Sequence, residues 1–161
     1  NIDIGLLSNI KFLKLCNNYA ICDEIHTLTN LISLKIHSCN NDNIFNKLYE
    51  LTNLTYLKID DFSINYIAGN NIGTLTNLTY LKIDNCSIDD MTGNNISTLP
   101  NLTYLYLEGS DDDIISDSDI QKLTKLIHLE IPFNDKITDN GIQHLTSLRF
   151  ISTLTRLNRY I

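Results

Sequence analysis

The chain has 161 residues and a formal net charge of -7 at neutral pH, which argues against a duplex nucleic-acid binder, because phosphate neutralisation needs a concentrated basic face. No apolar run approaches the roughly 20 residues of a membrane span. Hydrophobic content of 43% with only 8% aromatic points to a core assembled from many equivalent aliphatic positions. The chain holds 25 Leu, 24 Ile and 21 Asn but no Val and two Ala. Ile, Asn, Lys and Tyr have AT-rich codons, so the bias predicts an AT-rich source genome, as in a large DNA virus, an intracellular bacterium or an AT-rich protist.

Two periods alternate along the chain. Ile4, Leu7 and Ile10 are spaced by three, and Leu13 and Leu15 then alternate with Phe12, Lys14 and Cys16. A spacing of three fits a 3₁₀ turn or very short helix. The alternation is that of a strand with one buried face. The same pair of signals follows at Ile25, Leu28, Leu31 with Leu34 and Ile36, and at Leu48, Leu51, Leu54 with Leu57 and Ile59. It continues through Ile72, Leu75, Leu78; Ile96, Leu99, Leu102; Ile120, Leu123, Leu126; and Ile142, Leu145, Leu148. Between these units, residues 43–50 read as a helical turn or two, with Asn43 able to cap it. Asn70-Asn71 and Asn94-Asn95 read as turns. Asp117 to Asp119 and Thr138 to Gly141 read as helix caps for the IQKL and IQHL segments.

The phrase LTNLTYLKIDNCSI at Leu75 to Ile88 returns almost letter for letter at Leu51 to Ile64, and more loosely elsewhere. The leading Leu falls at 7, 28, 51, 75, 99, 123 and 145, giving intervals of 21, 23, 24, 24, 24 and 22 residues. A period in that range with an LxxLxLxx core marks a solenoid. The chain resembles the leucine-rich repeat family. The LTNL phrases resemble the internalin-like class, and NDKITDNGIQHL resembles the cysteine-containing class found in F-box adaptors. The resemblance implies an α/β solenoid, a right-handed curved superhelix with a parallel concave sheet and short helices or 3₁₀ turns on the convex side. One domain is expected over residues 1–161, with repeats beginning near 4, 25, 48, 72, 96, 120 and 142, and residues 154–161 folding over the last repeat as a cap. In the family, Asn or Cys eight residues past the strand-leading apolar residue points inward and bonds loop backbone. Those positions here are Asn18, Cys39, Phe62, Cys86, Ser110 and Asn134, and Phe62 departs from the pattern.

Parallel strands set equivalent residues side by side, so the repeat is read down columns. The first outward column is Phe12, Ser33, Tyr56, Tyr80, Tyr104, His128 and Phe150. The second is Lys14, Lys35, Lys58, Lys82, Tyr106, Glu130 and Ser152, and the third Cys16, His37, Asp60, Asp84, Glu108 and Pro132. Tyrosine rows on an open sheet are what protein interfaces favour, because rings bury much area at little entropy cost. Recent duplication of one repeat would also give identical letters, with stacked rings merely covering the sheet. The four lysines repel one another, and Asp60, Asp84 and Glu108 lie close enough to offset this.

Little in the sequence points to catalysis. His37 beside Asp60 resembles half of a catalytic pair, without an activated Ser or Cys to complete it. Cys16, Cys22, His26, His37 and Cys39 fall within 24 residues, but the solenoid sends them in different directions and four ligands would not converge. The acidic segment 111–119 lacks the spacing of a calcium loop. No metal and no cofactor are therefore expected. Cys39 and Cys86, two strands apart at about 10 Å, are too distant for a disulfide, and reduced thiols favour a cytoplasmic setting. A secreted or surface setting is the alternative if the chain is part of a longer protein.

The expectation is a non-catalytic module that binds a protein or peptide on its concave face. The contacting residues would be Phe12, Lys14, Lys35, His37, Tyr56, Lys58, Asp60, Tyr80, Lys82, Asp84, Tyr104, Tyr106, Glu108, His128, Glu130 and Phe150. No nucleic acid or membrane partner is expected, and the chain would be monomeric or weakly associated end to end. The alternatives are a structural scaffold or self-associating segment, and the substrate-reading part of an F-box-type ubiquitin-ligase adaptor.

Overall fold

The computed structural model describes residues 4–17, 24–38, 47–61, 69–86, 95–109 and 115–153. Seven strands, β1 (Phe12–Cys16), β2 (Ser33–His37), β3 (Tyr56–Asp60), β4 (Tyr80–Cys86), β5 (Tyr104–Gly109), β6 (His128–Glu130) and β7 (Phe150–Ser152), form one parallel sheet in sequence order. The Leu triplets explain how the chain enters each strand. The amide of Leu28 donates to the carbonyl of Ile25 at 3.0 Å, and that of Leu31 to Leu28 at 2.9 Å. The same two bonds recur at Leu48, Leu51, Leu54 and at every later triplet. Successive i→i+3 turns eclipse side chains three apart, so all three aliphatic groups face the same core.

Opposite the strands, the described helical segments are 3₁₀ helices and single α-turns. The 3₁₀ segments are Ile4–Leu7, Ile25–Thr27, Leu48–Glu50 and Gly69–Thr74, and the α-turns are Asp117–Ile120 and Asp139–Ile142. Asn70 and Asn71, expected as turn residues, lie within the Gly69–Thr74 helix. The cap of the Asp117 turn is Ser116, not Asp117: its side chain and that of Asp119 close a capping box. Asp117 instead accepts from the backbone and hydroxyl of Thr138 at 2.7 and 2.6 Å, which ties two coils together and holds its carboxyl below the usual range. Thr138 caps its own turn as expected. Of the 43–50 segment, residues 47–50 are described, with Leu48–Glu50 as 3₁₀ helix; Asn43, Asn94, the start of the 111–119 segment and residues 154–161 lie outside the described residues.

The core is a stack of identical layers. Leu34, Ile36, Leu57, Ile59, Leu81 and Ile83 on the strands are fully buried against the Leu triplets of the same and neighbouring coils. Fully burying one such side chain contributes about 1.5–3 kcal/mol, and each depends on a neighbour on either side. The first coil departs from this pattern: Leu7 is 38% exposed and Leu13 only partly buried, because no described coil precedes them. Two inward polar positions tighten the turns. Cys86 donates its thiol to the carbonyl of Asp84 at 3.1 Å. Asn134 donates to Ile115 at 2.8 Å and accepts from the amides of Lys136 and Ile137, both at 3.0 Å. Asn18, Cys39, Phe62 and Ser110 lie outside the described residues.

Candidate functional site

The open face of the sheet carries the three columns. Strand pairing places Phe12, Ser33, Tyr56, Tyr80, Tyr104, His128 and Phe150 in one row, and Lys14, Lys35, Lys58, Lys82, Tyr106, Glu130 and Ser152 in the next. The third row holds for Cys16, His37, Asp60 and Asp84. It then fails: the register slips beyond Ile83, so that Cys86 faces Gly109, and Pro132 lies past the end of β6.

Strand spacing brings the rings into contact. Tyr56 stacks on Tyr80 at 4.2 Å between centroids and 7° between planes, and Tyr80 on Tyr104 at 4.2 Å and 10°. His128 continues the pile at 4.3 Å and Phe150 closes it at 4.1 Å. Five rings from five strands thus form one unbroken stack, half-buried from Tyr56 to His128 and exposed at Phe150. Burial of Tyr80 between its neighbours, reinforced by Tyr104 and Tyr56, pushes its phenol well above the usual range.

The second row is partly neutralised. Lys58 reaches Asp60 at 2.5 Å and Lys82 reaches Asp84 at 2.8 Å, each two residues along its own strand. The bond to Asp60 pushes the Lys58 ammonium up. Lys82 also lies 3.6 Å from the ring of Tyr106. Tyr106 donates to Glu108, and burial followed by that bond pushes its phenol up. His128 meets Glu130 at 3.0 Å. Lys14 and Lys35 have no carboxylate partner among the described residues. With Ile36, His37, Tyr56, Lys58 and Asp60 they line a shallow depression of about 440 Å³ at the β1–β3 end. Along the solenoid axis the face therefore runs from cations without a carboxylate partner among the described residues to Glu108 and Glu130.

His37 stands beside Asp60 in the register, as expected. Asp60 meets Lys58 along its own strand, and His37 Nδ1 also lies 3.5 Å from Asp61. The backbone shapes that contact: Asn17, Ser38 and Asp61, each just past its strand, and Asn85, next to last in β4, have φ between 48° and 51°. That left-handed bend turns Asp61 toward His37, and Asn85 donates to its other oxygen at 2.8 Å. Runs of Asn, Ser and Asp at one repeat position carry this signal, because short polar side chains tolerate that region best. Phe133, at φ 64°, holds the equivalent conformation without that advantage. Cys16 lies exposed beside His37 in the register, and Cys22 and Cys39 lie outside the described residues. Asp60 Oδ1 is buried without a partner among the described residues.

No protein-family model and no curated protein matches the chain. Solved structures do. An internalin of Listeria monocytogenes superposes with a TM-score of 0.61 at 23% identity, over 91% of this chain and 48% of its own length. A leucine-rich repeat protein of Leptospira interrogans gives 0.70 at 23% identity, over 94% of this chain and 44% of its own. The chain folds as a leucine-rich repeat solenoid. Internalin C2 of Listeria monocytogenes gives 0.50 at 20% identity, over 92% and 83% of the two chains. This solenoid spans just under half the length of the first two proteins it is similar to. Among its described residues no helix is long and apolar enough to cross a membrane.

Proposed function

We propose that this solenoid is a non-catalytic binding module that takes a protein or peptide against its concave sheet. The observation that carries the reading is the stack from Tyr56 to Phe150, five rings held at fixed spacing on the side of the sheet away from the Leu core. Rings already immobilised by one another lose little freedom on association, and aromatic anchors of this kind dominate interface energies. Phe12, Tyr56, Tyr80, Tyr104 and Phe150 supply contact area. Lys14, Lys35, Lys58, Lys82, Asp60, Asp84 and Glu108 set register and orientation through their charge pattern. A net charge of -7 disfavours nucleic acid as the occupant.

A second reading, self-association through the ends, has its own support in the exposed apolar residues of the terminal strands: Phe12 on β1, with Phe150 and Ile151 on β7. Replacing Tyr80 and Tyr104 together with Ala separates the two. Loss of partner capture from the native host's lysate, at unchanged oligomeric state, supports recognition on the face. Unchanged capture with concentration-dependent assembly supports association through the ends.

A further inference from the structure

The row of rings has a gap one residue wide. Every strand from β3 to β7 contributes a ring, each 4.1–4.3 Å from the next. β2 contributes Ser33 instead, and beyond it stands Phe12, 73% exposed. β1 and β3 are two strand spacings apart, about 9.6 Å at about 4.8 Å each. The rest of the column stacks at one spacing, so one more planar group fits between Phe12 and Tyr56. Tyr80 covers one face of Tyr56, and the Lys35 ammonium lies 5.3 Å from the centre of its ring. An exposed contact of that kind is weak and yields readily to a ring.

The charges around the gap select what enters. Lys58 is satisfied by Asp60 and His37 faces Asp61, which leaves Lys14 and Lys35 as the cations without a carboxylate among the described residues. They flank Ser33 on the neighbouring and the same strand, in the depression that Tyr56 also lines. The opposite end of the face carries Glu108 and Glu130 and repels an acidic ligand.

We infer that the gap above Ser33 receives an aromatic side chain from an acidic peptide segment of the partner. The ring stacks on Tyr56, and a carboxylate beside it in the segment is held by Lys14 and Lys35. This rests on the reading of the concave sheet as the recognition surface and adds the chemistry of one subsite. It also orients the partner, with its acidic aromatic segment at the β1–β3 end.

Capped tripeptides test it on the full chain by amide chemical-shift titration. The probes are acetyl-Glu-Trp-Glu-amide, its Gln-Trp-Gln counterpart and its Glu-Ala-Glu counterpart. The first is expected to shift the amides of Ser33, Lys35 and Tyr56 and to bind about fivefold tighter than either other. That margin shrinks in about 0.5 M salt. Ser33→Tyr, which fills the gap with the protein's own ring, abolishes the shifts. If that variant does not fold, Lys14→Gln with Lys35→Gln serves instead, and is expected to equalise Glu-Trp-Glu and Gln-Trp-Gln. Equal affinity for all three probes, or shifts unchanged in these variants, overturns the inference. Preferential binding of single-stranded oligothymidylate at the same amides overturns it in favour of a nucleic-acid ligand. If the native partner loses affinity with Tyr80→Ala and Tyr104→Ala but not with Ser33→Tyr, the subsite fails and the recognition surface stands.

Discussion

Asn77 donates its side-chain amide to the carbonyl of Thr52, one coil back, at 2.9 Å. Asn53 does the same to Thr29 and Asn101 to Thr76, both at 2.9 Å. The Asn of each LTNL or LPNL phrase is therefore a rung joining consecutive coils, and Thr79 and Thr103 add a parallel row to the carbonyls of Thr55 and Thr79. Asn77→Ala is expected to lower stability by about 1 kcal/mol, the usual net worth of one such bond. Asn77→Asp, which keeps the shape but offers an acceptor to an acceptor, is expected to cost at least as much. Urea unfolding midpoints check both.

Gly141 is a case where two effects of opposite sign compete. Ala in place of Gly within a helical turn gains about 0.5–1 kcal/mol. A Cβ at Gly141, however, would lie 2.9 Å from the Cα of Asp117 and closer still to its carboxylate, which is fixed by Thr138. Overpacking against backbone costs about 1–3 kcal/mol, so Gly141→Ala is expected to destabilise. A raised thermal midpoint would show that the two coils sit further apart than described.

The layered core predicts a gradient. Leu81 in β4 is fully buried between two coils, whereas its equivalent Leu13 in β1 is only partly covered. Leu81→Ala is expected to cost about 2–5 kcal/mol, and Leu13→Ala less than half as much. Equal losses in denaturant unfolding would contradict the dependence of each layer on both neighbours.

High pH attacks the sheet face. The phenols of Tyr80 and Tyr106 are held above their ordinary value in the folded chain, so as pH rises past about 10 the unfolded chain releases protons that the folded one retains. Stability therefore falls with rising pH in that range. Lys58, also raised, adds to the same trend: its contribution is complete below about 10.5 and is lost through its folded value. The tyrosinate absorbance of Tyr80 and Tyr106, isolated by difference from Tyr80→Phe and Tyr106→Phe, is expected to appear together with loss of circular dichroism, and Tyr80→Phe to shift unfolding to higher pH. Ionisation of these two phenols before unfolding would contradict the stack.

The rows on the sheet were legible because an in-register parallel solenoid turns a sequence period directly into a spatial column. Tyr56, Tyr80 and Tyr104 could be placed side by side from their spacing alone. The triplets were legible for the same reason, since i→i+3 turns and side-chain period coincide. What the letters withheld depends on single backbone angles or on contacts across coils. The left-handed bend at Asp61 brings a second carboxylate to His37, and the slip after Ile83 ends the third column. The pairing of Asp117 with Thr138 joins residues of different coils. The gap at Ser33 was visible as a letter, but its meaning required the stack on either side.

The docking surface is tested most directly by the affinity of the captured native partner for the double variant Tyr80→Ala, Tyr104→Ala, measured by titration calorimetry on folded protein. If the open row of rings is the docking surface, Kd rises about 30-fold or more, as loss of two central aromatic anchors entails. A folded variant that binds its partner as tightly as the parent chain would contradict it.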